Sequence, residues 1–247
     1  MTRAAIGAAV AALVAAASAV AARPGPVERG EQLYGRYCIT CHGPGGAGVS
    51  SPRPGSQGQL GLGPPLRDTG ELGADFYLRT GYMPLESPYD VPGRRRPLFS
   101  EDQIDALVAY VASLGRGPPV PRPHPNRGSL SEGLRLFTEY CSGCHQVVGE
   151  GGVVTGARVP PLDQASTVQI AAAVRVGPYL MPRFPKTQIS DRELDSIIRY
   201  VEYAKRPRDD GGWAIGHLGP VPEGLVTWLL GATLLVGVCV VIGRRAR

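Results

Sequence analysis

Aromatic side chains are scarce, at 6% of 247 residues. A chain of this length allows one or two ordinary domains, but few large rings are available to fill them, so added apolar bulk from a bound group is expected. A cysteine framework is missing too. Four of the five cysteines fall in two short motifs, and Cys239 lies in an apolar run near the C-terminus, which excludes a disulfide-stapled fold. Nor is there an excess of positive charge where a polyanion would need it. The formal charge is +5 and the pI about 9.1. Of the 26 basic residues, Arg3 sits at one extreme end and Arg244, Arg245 and Arg247 at the other; the remaining 22 face 21 acidic residues. The middle is near neutral, and the basic balance belongs to membrane flanks rather than to a nucleic-acid surface. Methionine is rarer still: Met1, Met83 and Met181.

What is present is one five-residue stretch and its copy, Cys38-Ile39-Thr40-Cys41-His42 and Cys141-Ser142-Gly143-Cys144-His145. Cys-x-x-Cys-His is the pattern of covalent c-type haem attachment. Two thiols three positions apart can each form a thioether to one vinyl group of a porphyrin, and the adjacent imidazole then meets the iron from one face. The sixth ligand has two matched candidates. Met83 follows His42 by 41 residues, Met181 follows His145 by 36, and each precedes a proline. Histidine–methionine ligation raises the potential of a haem. Other readings of the motif fit less well. A thioredoxin-like redox pair needs a strand–helix context that neither copy has, and a zinc site would have to combine the two pairs. A methionine is ordinarily a core gap-filler, but here the two internal methionines hold matching places in a repeat.

The repeat extends well beyond the motifs. Gly30 and Gly133 each lie eight residues before the first cysteine; Leu33, Tyr34 and Tyr37 match Leu136, Phe137 and Tyr140. Glycine is costly inside a helix, so Gly30, in a predicted helix over 27–37, marks a close approach to something. Gly63-Pro64-Pro65-Leu66 matches Val159-Pro160-Pro161-Leu162, and Arg-x-Gly precedes each methionine at Arg79 and Arg175. Ser100 with Gln103 and Ser190 with Glu193 are capping boxes. They open helices with apolar stripes at Ile104, Leu107, Val108, Val111 and Leu114, and at Leu194, Ile197, Ile198 and Val201. Tyr110 and Tyr200 hold the same place in each. The first helix and its motif repeat at a constant offset and the later segments follow in the same order, which means two homologous domains, over 27–115 and 128–206.

The remaining segments read as follows. Residues 1–22 form a signal peptide or N-terminal anchor, with Arg3, an apolar stretch and a small-residue pattern at Ala19-Val20-Ala21. Gly43 to Gly63 is a loop. Leu85 to Pro97 is an insertion in the first domain, and its Arg94-Arg95-Arg96 run reads as solvated. The Pro-rich linker, 116–127, is a stiff spacer in which His124 reads as solvated. A Gly/Pro pre-membrane segment, 207–224, carries Trp213 and His217. A transmembrane helix, 225–243, contains an uninterrupted apolar run of eighteen residues from Leu225 to Ile242. That is about the shortest helix able to span a bilayer. The closing arginines place the C-terminus in the cytoplasm and the haem domains outside.

On these residues each domain resembles a class I cytochrome c, which implies an all-α haem fold whose N- and C-terminal helices cross at the Gly/aromatic positions. The resemblance also implies that a backbone carbonyl in each Pro-Pro-Leu stretch holds the Nδ1–H of the haem histidine. The tail from Gly211-Gly212-Trp213 to Pro222-Glu223-Gly224, leading into a single span, is similar to the dihaem cytochrome c subunit of the actinobacterial-type menaquinol–cytochrome c reductase (the bcc complex). That resemblance implies two covalent haems carried by Cys38, Cys41, Cys141 and Cys144, with iron held by His42, Met83, His145 and Met181. It further implies partnership with cytochrome b, a Rieske iron–sulfur protein and an aa3-type oxidase, and no substrate chemistry of the chain's own. The loop after His42, the insertion after Met83 and His217 depart from the family pattern. Three other functions compete: the cytochrome subunit of an extracytoplasmic dehydrogenase, which lacks this tail; a dihaem peroxidase, which needs an open iron position; and a zinc-binding interaction module, which would be colourless.

Overall fold

Each half of the chain folds as the same sequence of helices around a Cys-x-x-Cys-His turn. The structure is a computed structural model and describes residues 24–50, 62–207 and 220–245. The signal segment, most of the loop after His42, and Trp213 and His217 lie outside these residues.

In the first domain α1 spans Pro26–Tyr37 and α2 is the single turn Ile39–His42. Then come α3, Gly70–Arg79, and α4, Glu101–Ser113. In the second, α5 spans Leu130–Tyr140, α6 Ser142–His145, α7 Thr167–Val176 and α8 Asp191–Lys205. The local signals account for the starts. Pro26 takes the first position of α1, where a missing N–H costs nothing. The Gln103 side chain accepts from the Ser100 N–H at 3.0 Å, and Glu193 does the same for Ser190 at 2.8 Å. The second domain adds a short antiparallel hairpin between its motif and α7: β1, Gly152–Val154, and β2, Ala157–Val159, turning at Gly156 with φ 84°. At the corresponding place in the first domain the described residues show an isolated bridge between Val49 and Gly63.

Helices α1 and α4 cross with Tyr34 against Tyr110, ring centroids 5.1 Å apart. Helices α5 and α8 cross with Phe137 against Tyr200 at 5.3 Å. Around the first crossing lies a core of Leu78, Phe99, Ile104, Leu107 and Val111; around the second, Leu136, Ile170, Val174, Ile189, Ile197 and Ile198. Each such side chain contributes roughly 1.5–3 kcal/mol on burial. A third, smaller cluster joins the domains, where Leu72 and Phe76 of α3 pack on Ala172 of α7.

The linker is not a free spacer. The Pro118 carbonyl accepts from the Leu72 N–H at 3.0 Å, and the His124 N–H donates to Asp195 Oδ1 at 2.6 Å. Prolines leave carbonyls free to accept, and the chain lies against both domains as it passes. The insertion corrects the sequence reading as well. Arg94 is half-buried and donates from Nη2 to the Gln164 carbonyl at 3.0 Å and to Gln169 Oε1 at 3.1 Å, both in the second domain. Its neighbours Arg95 and Arg96 are exposed, as expected.

The C-terminal unit contains α9, Pro220–Arg245. The helix starts earlier than expected and takes in Pro222-Glu223-Gly224, because prolines are tolerated in a first turn. Its stretch Gly224–Arg245, 22 residues, is long and apolar enough to cross a bilayer. Leu229, Leu234, Val236 and Ile242 are exposed.

Candidate haem centres

The turn after each crossing helix presents the motif. Cys38 ends α1 as its C-cap, and the His42 N–H donates to the Cys38 carbonyl at 2.9 Å. Cys141 and His145 repeat this at 2.9 Å. The single helical turn brings both thiols and the ring to one cavity; Cys38 and Cys141 pack against the cores, while Cys144 is exposed.

In the first domain Cys38, Cys41, His42 and Met83 line one cavity, with Leu78 and Phe99. In the second, Cys141, Cys144, His145 and Met181 line another, with Val174 and Phe184. The structure thus gathers all eight predicted site residues into two groups of four, each in apolar surroundings. Ligands separated by 41 and 36 residues of chain are brought together by α3 and α7, whose C-terminal ends lead into the methionine loops.

The histidines differ. His42 Nδ1 lies 2.8 Å from the Pro64 carbonyl oxygen. A carbonyl only accepts, so Nδ1 carries the proton and Nε2 keeps its lone pair for a metal. His145 Nδ1 is buried without a hydrogen-bond partner. The Pro160 carbonyl faces it and favours its protonated form, short of good hydrogen-bond geometry. Burial holds both imidazoles below the ordinary histidine range, with the facing carbonyls opposing the shift. Burial thus favours the neutral ring, the state in which imidazole ligates iron.

The thiols speak against a redox dithiol. Burial, with the second cysteine beside it, pushes Cys38 up to about 11 and Cys141 up to about 12. A thioredoxin-like pair requires the opposite shift. Among the described residues no three or more His, Cys, Asp or Glu side chains converge as a metal site, so the two Cys pairs do not combine as a zinc site would need. A flat apolar macrocycle with an iron centre fits the donor set: two thiols, one imidazole nitrogen and one thioether around each apolar cavity.

Several supporting residues carry little sequence signal. Tyr34 Oη donates to the Gly43 carbonyl, next to His42, at 2.5 Å. In the second domain that position is Phe137, and the hydroxyl comes instead from α8, where Tyr200 Oη donates to the Val147 carbonyl at 2.7 Å. The two repeats fix the loop after the histidine from opposite sides of the helix crossing. The two Arg-x-Gly arginines have a common task. Arg79 pairs with Asp75 at 2.6 Å and with Glu101 and Asp105 of α4. Arg175, only 9% exposed, donates to the Phe184 carbonyl at 3.0 Å, the Ile189 carbonyl at 2.7 Å and Asp191 Oδ1 at 2.9 Å. Each arginine fastens the helix before the methionine to the start of the last helix, and so holds the methionine loop between them.

The sequence has clear relatives. Residues 27–115 match the family model described as Cytochrome c, and residues 128–201 the model described as Cytochrome C oxidase, cbb3-type, subunit III. The cytochrome bc1 complex cytochrome c subunit of Mycobacterium tuberculosis (strain ATCC 25618 / H37Rv) is 35% identical over 227 residues, covering 88% of this chain and 77% of the relative. That of Mycobacterium leprae (strain TN) is 35% identical over 227 residues, covering 88% and 75%. That of Corynebacterium diphtheriae is 34% identical over 240 residues, covering 89% and 81%. The chain belongs to the family of cytochrome bc1 complex cytochrome c subunits. It is an electron-transport protein with two cytochrome c-type domains, and such domains carry covalently bound c-type haem. The apolar α9 is suited to anchor this cytochrome c subunit in a membrane.

Proposed function

We propose that the chain is a membrane-anchored dihaem cytochrome that carries electrons from the Rieske centre of a menaquinol–cytochrome c reductase to an aa3-type oxidase. Cys38 and Cys41 would attach one haem, and Cys141 and Cys144 the other; His42 with Met83 and His145 with Met181 would hold their irons. The observation that carries this reading is the convergence, twice, of two cysteines, a histidine and a methionine on one apolar cavity. A peroxidase would leave one iron position open, whereas each cavity here has both candidate axial donors.

Bound haem supplies reversible one-electron chemistry. The chain supplies the rest. The Pro64 carbonyl orients the His42 ring. Arg79 and Arg175 hold the methionine loops. Apolar walls exclude water and, with the thioether ligand, favour the reduced state. Fusing the two domains and anchoring them beside both partners replaces a diffusing carrier; tethering of this kind gives local concentrations of roughly millimolar. The haem domains lie outside the cytoplasm and the C-terminal arginines inside, in keeping with the charge rule. Cytochrome b, the Rieske protein and the oxidase are the partners this reading requires. Detergent extraction followed by affinity purification of the tagged chain tests it: cytochrome b and oxidase subunits should copurify with quinol oxidase activity. Recovery with a periplasmic dehydrogenase instead would overturn the reading.

A further inference from the structure

The two cavities differ in who builds them. The first is lined by first-domain residues. The second, around Cys141, Cys144, His145 and Met181, is also lined by Phe76, Tyr82 and Arg94 of the first domain. We propose that the first domain closes the second haem pocket, and that Arg94 is the positioning residue whose charge sets the potential of the haem held there. This rests on the dihaem reading above and adds to it a named residue from the other domain.

Three observations carry the inference. Arg94 is tied across the domain boundary by its two bonds to Gln164 and Gln169. Gln169 is itself the third residue of α7, and its side chain accepts from the Ser166 N–H at 3.2 Å. The guanidinium is therefore fixed relative to the second cavity. Next, the cavity adjoins a cleft lined by Arg94, Arg95, Arg96 and Arg158 with one acid, Asp163; Tyr82, Arg94 and Arg158 line both. A porphyrin joined to the chain through its two vinyl carbons still bears two carboxylates on another edge, and an arginine-lined opening is complementary to them. Finally, Tyr82 and Phe76 are 8% and 4% exposed, with rings 5.7 Å apart. This wall is dry, so the charge of half-buried Arg94 is only partly screened on that side. A fixed cation there favours the reduced haem.

The test uses the full-length, membrane-anchored protein purified in detergent. Haem is counted first, by absorbance of its pyridine adduct against protein. The second haem's wave in a redox titration is identified as the one that moves in Met181→Leu. Arg94→Gln should lower that haem's reduction equilibrium constant roughly three- to tenfold, where tenfold is about 59 mV for one electron. The other wave should stay in place. Arg94→Lys keeps the charge but not the paired bonds, and should hold the second wave near its original position. The inference is overturned if Arg94→Gln leaves the second wave unmoved, if both waves shift equally, or if Arg94→Lys falls as far as Arg94→Gln. Should Arg94→Gln lose the second haem, Arg94→Met takes its place in the same comparison. A wild-type count below two haems is a different result, and refutes the dihaem reading itself.

Discussion

A β-carbon placed on Gly30 would lie 2.6 Å from the β-carbon of Tyr110, and closer still to the Ala106 carbonyl oxygen. Gly133 stands to Tyr200 as Gly30 stands to Tyr110, with the same imagined contact at 2.9 Å and the Ser196 carbonyl nearer. The two helices of each domain cross backbone to backbone at these glycines. Gly30→Ala or Gly133→Ala should therefore destabilise its domain by about 1–3 kcal/mol through overpacking, although alanine is the better helix former by up to about 1 kcal/mol. Thermal melts followed by circular dichroism measure it. A variant more stable than the parent would contradict the crossing geometry.

The methionines can be tested singly. Met83→Leu and Met181→Leu keep the apolar bulk and remove the thioether. In each variant one haem should lose its methionine–iron band at the red end of the spectrum and fall in potential, while the other is unchanged. Unaltered spectra in both variants would remove the ligand assignment.

The hydroxyls of Tyr34 and Tyr200 serve the same purpose from opposite helices. Tyr34→Phe leaves the Gly43 carbonyl without this donor, and Tyr200→Phe does the same to Val147. Each should cost about 0.5–1.5 kcal/mol, more if the carbonyl stays dry. Tyr110→Phe and Phe137→Tyr, at the other places of the crossing, should have smaller effects. Denaturant titration of the four variants distinguishes these expectations.

Arg175 is buried, and its partners are Phe184 in the methionine loop, Ile189 just before the last helix and Asp191 at its start. Arg175→Met should destabilise the second domain by about 2–4 kcal/mol, because carbonyls and a carboxylate lose their donor. Asp191 adds a pH dependence of known sign. The Lys186 ammonium, bonded at 2.7 Å, and then Arg175 hold its carboxyl below the usual range. Its contribution is thus complete above the unfolded-state pKa, near 3.9, and disappears as the pH falls through the lower folded value. The Asp191 side chain is 64% exposed, so solvent screening keeps this contribution small. Asp191→Asn should narrow the stability gap to wild type as the pH drops below about 4; a gap that widens would reverse the sign.

Much of the site was readable from spacing alone. The two Cys-x-x-Cys-His motifs, the paired Met-Pro stretches, the close approach at Gly30 and both capped last helices are legible in a repeat whose parts recur in the same order. Local signals of this kind survive folding because each acts within a few residues. What spacing could not supply was contact between the repeats. Arg94-Arg95-Arg96 looks like any solvated run, and only one of the three turns inward. The linker prolines suggested stiffness but not that their carbonyls would bond to Leu72. The hairpin at Val153 lies in a Gly-rich stretch with too few alternating residues to announce strands. The start of α9 at Pro220 was hidden by the turn-like composition around it. For Arg94 and the linker the deciding partner lies far along the chain, where periodicity carries no information; the hairpin and the start of α9 are local features with no recognisable pattern.

Removing Leu225 to Arg247 should release a soluble, red, redox-active fragment that keeps both haem spectra, since each core assembles from the helices of its own domain. Trp213→Ala, in the segment before α9, should leave the spectra intact and weaken association with the quinol-oxidising subunits. Quinol oxidase activity of the membranes, set beside haem content, reads both. Full activity of the truncated chain together with its copurification with cytochrome b would reduce the tail to a simple anchor.

Mass spectrometry of the mature chain under denaturing conditions tests the central claim most directly. Two haems should remain covalently attached, one on the peptide containing Cys38 and Cys41 and one on that containing Cys141 and Cys144, with those four thiols closed to alkylation. A mass carrying one haem or none, or free thiols at either pair, would contradict the account.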